Sequence, residues 1–393
     1  LNIKVLILLV LLGVGKSSWS QEAMVPLYCY DDTVLVPQPF APAPLTDCSA
    51  SSVQQFVAQL PAEKMAPYVA ALMRYRQRHP IDDWLYYQLV RKVAQQLSPK
   101  ADNYYRYTLY KWWLLAQSGY DTRLTWSGRY LLFYVQSDET IYNIPFRMQD
   151  GKQYVCLNYH DYGNIDFNQN KFEAIQLPLT TTAKAFSYQV HQLPNFRDAD
   201  YTVKQVAYEA GNSQYHFRIK LNTQMKQLFS NYPVVDYNVQ FNMPISRPTY
   251  ESLIPELRKQ VRKLKQKEGI DFLLHFTRYA FLYKPDGEAF GSEKRLSPEQ
   301  TLLSEYSDCE DRAALFFFLV KELYNLPMIV LAYPSHVTLA VQLEKPSGTT
   351  IEYGGKRYTV CEPSPQRYDL GVGQLPQEYK HQSYEIAYAY TPK

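Results

Sequence analysis

One stretch constrains the fold more than any other. Asp308-Cys309-Glu310-Asp311-Arg312 runs straight into Ala-Ala-Leu-Phe-Phe-Phe-Leu-Val, apolar on every side. A helix that is apolar all round has to be enclosed, so this one is expected at the centre of a domain. Asp308 reads as its N-cap and acidic residues fill its first turn, which places Cys309 at the helix N-terminus. There the helix dipole and the free N–H groups favour a thiolate. Asn325 and Pro327 end the helix. Two strand-like runs follow, 328–333 and 336–343, and after a Gly-rich turn a third, 356–362. His336 opens the second run and Glu362 closes the third.

A cysteine at the head of a central helix, a histidine on a following strand and a carboxylate on the next make a thiol-nucleophile set. The thiol needs a base, and the base needs an orienting acceptor. By strand alternation His336, Thr338 and Ala340 share one face, and Val337, Leu339 and Val341 the other. The acids flanking Cys309 would raise its pKa, so a thiolate here calls for His336 as counter-ion. Pro298-Glu299-Gln300-Thr301-Leu302, Asp308-Cys309-Glu310-Asp311-Arg312, His336-Val337 and Glu362-Pro363-Ser364 together resemble the transglutaminase-like superfamily of papain-like thiol enzymes, in its bacterial exported form. The resemblance covers the C-terminal third, from about Tyr250. Glu362 stands where that family carries Asp, and the glycine usual shortly before the cysteine is replaced by Tyr306-Ser307-Asp308.

What the resemblance implies is a transglutaminase-like domain over 248–393 in which Cys309 attacks an amide carbonyl of a protein or peptide, His336 moves the proton and Glu362 holds the imidazole. The acyl-enzyme is then resolved by water or by an amine. The Cys309 N–H is a natural oxyanion donor, with Gln300 as a candidate side-chain partner. No cofactor and no metal is expected, because Cys29 and Cys48, with Asp31 and Asp32 nearby, lack ligand spacing. A second reading is a non-catalytic transglutaminase-like scaffold or binding protein.

The chain has 393 residues, enough for two or three domains. Its 41 basic and 38 acidic residues are nearly balanced, which gives no reason to expect nucleic acid. Residues 1–20 read as a signal peptide: Lys4, an apolar run over 5–14 too short to span a bilayer, and Ser18-Trp19-Ser20 as cleavage site. This implies an exported, periplasmic protein, soluble after cleavage and not membrane-spanning. In an exported chain five cysteines leave at least one unpaired. Cys29 and Cys48 are the pair expected to bond, Cys156 and Cys361 are buried hydrophobes, and Cys309 is the free thiol.

The whole reads as α+β. Prolines at 26, 37, 39, 42 and 44 make 21–50 an extended arm. Over 51–118 helical spacing dominates, with Pro67 expected in the opening turn of the second helix. Strand-like runs then follow, and Gly151-Lys152-Gln153-Tyr154-Val155-Cys156 parallels Gly355-Lys356-Arg357-Tyr358-Thr359-Val360-Cys361. Gly151 to Gly355 and Trp113 to Phe317 are both offsets of 204. Residues 51–158 are therefore a candidate degenerate copy of the C-terminal unit. Carried back by 204, the three site positions fall on Tyr105, Leu132 and Asn158, none of which can act as nucleophile or base. Alternating runs over 159–247 suggest an antiparallel β domain, a sandwich. Helices are expected from Pro255 to 268 and over 271–283, with the basic run from Arg258 to Lys267 on a solvated face.

Overall fold

The structure, a computed structural model, describes residues 23–177, 183–210, 213–289 and 294–392. The expected signal peptide lies outside the described residues. The chain first forms an antiparallel hairpin, β1 (Met24–Cys29) with β2 (Asp32–Pro37). This corrects the expectation of an arm without regular structure. In a two-stranded pair every second N–H points away from the ladder, so Pro26 and the terminal Pro37 are tolerated. Tyr30, at φ 57°, supplies the positive φ that the tight turn requires.

Four helices follow: α1 (Ala50–Ala58), α2 (Ala62–Arg78), α3 (Asp83–Leu97) and α4 (Tyr104–Gln117). Pro67 is the sixth residue of α2, beyond its opening turn. The first sheet is β3 (Thr122–Ser127), β4 (Tyr130–Gln136), β5 (Phe146–Gln149), β6 (Lys152–Cys156) and β7 (Glu173–Ala174), all antiparallel in the order β5-β6-β4-β3-β7.

The expected sandwich over 159–247 is not formed among the described residues. Apart from β7, which joins the first sheet, the region holds one long hairpin, β8 (Tyr201–Ala210) with β9 (Ser213–Asn222), and two short helices, α5 (Met225–Leu228) and α6 (Tyr237–Gln240). The alternation in 186–190 is real, but it serves a different end. Phe186 and Tyr188 are buried in the core of the first unit. The backbone there bonds to side chains: Ser187 N–H to Asp83 (3.0 Å) and Tyr188 N–H to Glu139 (2.6 Å). A carboxylate satisfies an extended segment as well as a neighbouring strand does.

The C-terminal unit opens with α7 (Arg247–Val261) and α8 (Gln266–Tyr279). Pro255 lies inside α7, which starts eight residues earlier than expected, with Pro248 in its first turn. The basic run lies exposed across the α7–α8 junction. Next come β10 (Leu282–Tyr283), α9 (Asp286–Ala289), α10 (Pro298–Leu303), β11 (Tyr306–Ser307) and α11 (Cys309–Tyr324). The second sheet holds β12 (Met328–Tyr333), β13 (His336–Val341), β14 (Thr350–Tyr353), β15 (Lys356–Cys361) and β16 (Glu385–Tyr390), in the order β14-β15-β13-β12-β16. The protein is α+β. Among the described residues no helix is long and apolar enough to cross a membrane.

Helix α11 is enclosed as its sequence requires. Every residue from Asp311 to Val320 is buried, and Phe316, Phe317 and Leu319 pack with Val337, Leu339 and Val341 of β13. Each such side chain contributes about 1.5–3 kcal/mol on burial. Asp308 caps the helix by accepting the Asp311 N–H, and Asn325 closes it in the left-handed conformation (φ 49°, ψ 48°).

The two sheets have the same strand order, each after a helix. Asn103 caps α4 as Asp308 caps α11, an offset of 205. The pair Ser127 and Tyr130 closes its hairpin as Tyr333 and His336 do, an offset of 206. Gln149 and Lys152 match Tyr353 and Lys356 at 204. The offset drifts because helices and turns differ in length. The first-unit counterparts of Cys309, His336 and Glu362 are thus Tyr104, Tyr130 and Asn158, in place of the Tyr105 and Leu132 of a constant offset. Asn158 Nδ2 donates to the Tyr104 hydroxyl at 2.9 Å, so this position holds a neutral hydrogen bond.

Candidate active site

His336 opens β13 and Glu362 directly follows β15, the strand beside it. Cys361 enters the α11 core, so by alternation Glu362 turns to the face of His336. His336 Nε2 and Glu362 Oε2 lie 2.8 Å apart. Glu362 is fully buried, and its second oxygen accepts the Ser364 N–H at 2.8 Å. With both oxygens accepting, the carboxylate takes the Nε2–H of the ring and leaves Nδ1 as the basic nitrogen. Arg278, also buried, donates to the Glu362 carbonyl and to Asp369 (2.6 Å), which fixes the backbone beneath the carboxylate.

Cys309 stands at the first position of α11, 7 % exposed. Its Sγ donates to Glu310 Oε2 at 2.8 Å, and no hydrogen bond joins it to His336. Burial pushes the thiol pKa above its ordinary range, and the charges of Glu310 and Asp308 push it further; the Val337 N–H, next to His336, acts the other way. Cys309 rests as a thiol. The structure therefore pairs the histidine with the carboxylate and sets the cysteine by the Val337 N–H, one residue along from His336, with its proton directed to Glu310.

Gln300 is spent elsewhere. Its Oε1 accepts the Ser297 N–H (3.0 Å) and its own N–H bonds to Ser297 Oγ (3.3 Å), the reciprocal cap of α10. The donor left at the thiol is the N-terminal N–H of α11.

Three contributors are not evident from the sequence. Arg312 is buried in α11 and donates to the carbonyls of Thr277 (3.0 Å), Arg278 (2.7 Å) and Phe281 (2.9 Å), tying the end of α8 to the Cys309 helix. Asp286, Asp308 and Asp311 bring one carboxylate oxygen each to within 4.8 Å of one another, all buried. The sequence reading expects no metal, yet these three could hold a cation. Asp308 is pushed up to about 9, by burial first and then by Asp311, Glu310 and Asp286. Asp286 could not be grouped with the others from spacing, since 22 residues separate it from Asp308.

The third is Tyr379. Its ring lies flat on the His336 imidazole, with centroids 4.5 Å apart and planes 11° from parallel. Its hydroxyl pKa is pushed up to about 12, by burial first and then by the charges of Glu378, Glu362 and Cys309. Tyr333 packs against Tyr379 with centroids 5.2 Å apart, and Tyr384 packs against Tyr333 at 5.4 Å. Tyr379 follows Pro376, and 380–385 are exposed, so the ring is carried on a surface strap. Cys309, His336 and Glu362 are all 7 % exposed or less, and this ring covers the imidazole. Tyr379→Ala is expected to raise the rate at which a bulky maleimide modifies Cys309 by about tenfold, and that of iodoacetamide by less. Equal rates in both proteins would show that the strap does not limit access.

Set against protein-family models, curated proteins and solved structures, the chain matches none.

Proposed function

We propose that the chain is an exported thiol enzyme of transglutaminase-like type that acts on amide bonds of a protein or peptide. The observation that carries this reading is the buried His336–Glu362 pair, 2.8 Å apart, beside a cysteine at the N-terminus of the central helix. A histidine held by a carboxylate next to a helix-start thiol is costly to bury unless it is used.

In the reaction His336 Nδ1 takes the proton from Cys309 Sγ as the sulfur attacks the amide carbonyl carbon. The oxyanion forms against the N–H groups at the start of α11. The imidazolium then returns its proton to the amine nitrogen as the carbon–nitrogen bond breaks, leaving a thioester on Cys309. Water or a second amine, deprotonated by the same ring, attacks the thioester and restores the thiol. Glu362 keeps one tautomer of the ring and stabilises its charged form throughout.

One observation favours the scaffold reading. Cys309 donates to Glu310, and its pKa is raised, the opposite of an activated thiol. Alkylation with site mapping by mass spectrometry separates the two. The enzyme reading expects iodoacetamide at pH 7.5 to modify Cys309 at least tenfold faster than buried Cys156, which also has a raised pKa but no histidine or carboxylate partner in its bonding. Equal rates at the two cysteines would favour the scaffold.

A further inference from the structure

Helix α3 presents Gln88, Arg91, Lys92, Gln95 and Gln96 along one face, at the three- and four-residue spacing of a polar stripe. Such a stripe ordinarily faces open water. Here it forms one wall of a cavity of about 610 Å³, a volume typical of small-molecule sites. Gln224 and Gln227, around the start of α5, also line it. Tyr28 and Tyr30 of the β1–β2 hairpin close one end with Phe196, whose ring meets Tyr30 edge-on at 5.5 Å.

Gln88, 9 % exposed, accepts from Arg91 at 2.8 Å through its Oε1 and so holds the guanidinium at the cavity wall. The lining is also charged. Arg91, Lys92 and Arg197 line the cavity against the single acid Asp200, an excess of two positive charges in a chain otherwise balanced. Asp200 is already held by Arg197 (3.1 Å) and Gln224 (3.4 Å).

We propose that this cavity binds a carboxylated oligosaccharide. Planar amides in the lining suit a ligand whose edge carries hydroxyls that both donate and accept. The cations suit its carboxylates. Aromatic faces at the end suit the C–H faces of a sugar ring, and Tyr28 is 64 % exposed there. An extended peptide fits less well, because the adjoining strand has little left to offer it. The Tyr28 carbonyl is taken by Lys92 Nζ at 3.1 Å, and Pro26 brings no N–H. The proposal is independent of any chemistry at Cys309.

The test is titration calorimetry on the full chain with trigalacturonic acid, maltotriose as the neutral trisaccharide, and hexaglutamate as the acidic peptide. The variants are Lys92→Glu and Gln227→Leu, each checked for an unchanged melting temperature. The proposal expects saturable binding of trigalacturonic acid, at least tenfold weaker binding of maltotriose and hexaglutamate, and at least a tenfold loss in Lys92→Glu with a smaller loss in Gln227→Leu. No binding, equal binding of maltotriose, hexaglutamate binding as tightly as the sugar acid, or affinity unmoved by both variants would each overturn it.

Discussion

His336→Ala is expected to reduce amide turnover, and alkylation of Cys309 at neutral pH, by about 10²-fold or more, the usual contribution of a positioned base. The thiol of Cys309 is held protonated by burial and by two neighbouring carboxylates, so little thiolate forms unless a group accepts its proton. On the proposed reading His336 is that group, and its Nε2 is already committed to Glu362. Changes at Glu362 should rank below this. Both oxygens of Glu362 accept an N–H, from His336 and from Ser364. Glutamine can accept at only one of them, so one buried donor is stranded, at a cost of about 1–3 kcal/mol. Glu362→Asp puts the residue usual in the resembled family at this position, but the shorter arm cannot span a 2.8 Å contact built around glutamate. It should also lower activity, by about tenfold. If His336→Ala and the wild type show the same pH dependence of Cys309 labelling, the pair is not coupled, and the scaffold reading replaces the enzyme.

The sequence disclosed the site unevenly, for physical reasons. The central helix was legible to the residue, because a cap, an acidic first turn and an unbroken apolar run agree on one boundary. The strands carrying His336 and Glu362 were legible too, since period-two alternation places both side chains on the face away from the α11 core. The resting partner of Cys309 was not. Glu310 adjoins it in the chain, yet whether a neighbour's carboxylate turns to the sulfur or to solvent depends on the enclosure around it. Tyr379 was invisible for a different reason. It lies 43 residues from His336, on a strap with no periodicity, and its role rests on a ring-to-ring contact that only the fold creates. The middle region misled because alternation is also what an extended segment shows when its aromatic residues enter a core and its backbone bonds to Asp83 and Glu139. The repeated unit was visible in Gly151–Cys156, but a constant offset could not follow it through helices of 14 and 16 residues.

Glu310→Gln is the most informative single change at the thiol. Glu310 accepts the Cys309 S–H and, after burial, is the largest influence holding the thiol up. Its charge opposes the thiolate; glutamine keeps an acceptor oxygen for the S–H but removes that charge. The sign follows directly. A group that disfavours the ionised form raises the pKa, so its neutralisation moves the midpoint of Cys309 alkylation to lower pH. At a pH below both midpoints, each unit of that movement raises the rate about tenfold, and a gain of this order is expected at pH 7.5. The labelling gain should not need His336, but any gain in amide turnover should, because the proton must still reach the leaving amine through the ring. In the double variant with His336→Ala the midpoint still falls, but amide turnover does not return. An unchanged midpoint would mean that burial alone sets the thiol, and that the Glu310 contact is incidental. A midpoint that rises would mean that Glu310 draws the proton away from the sulfur. In that case Glu310, and not His336, would be the base of this site.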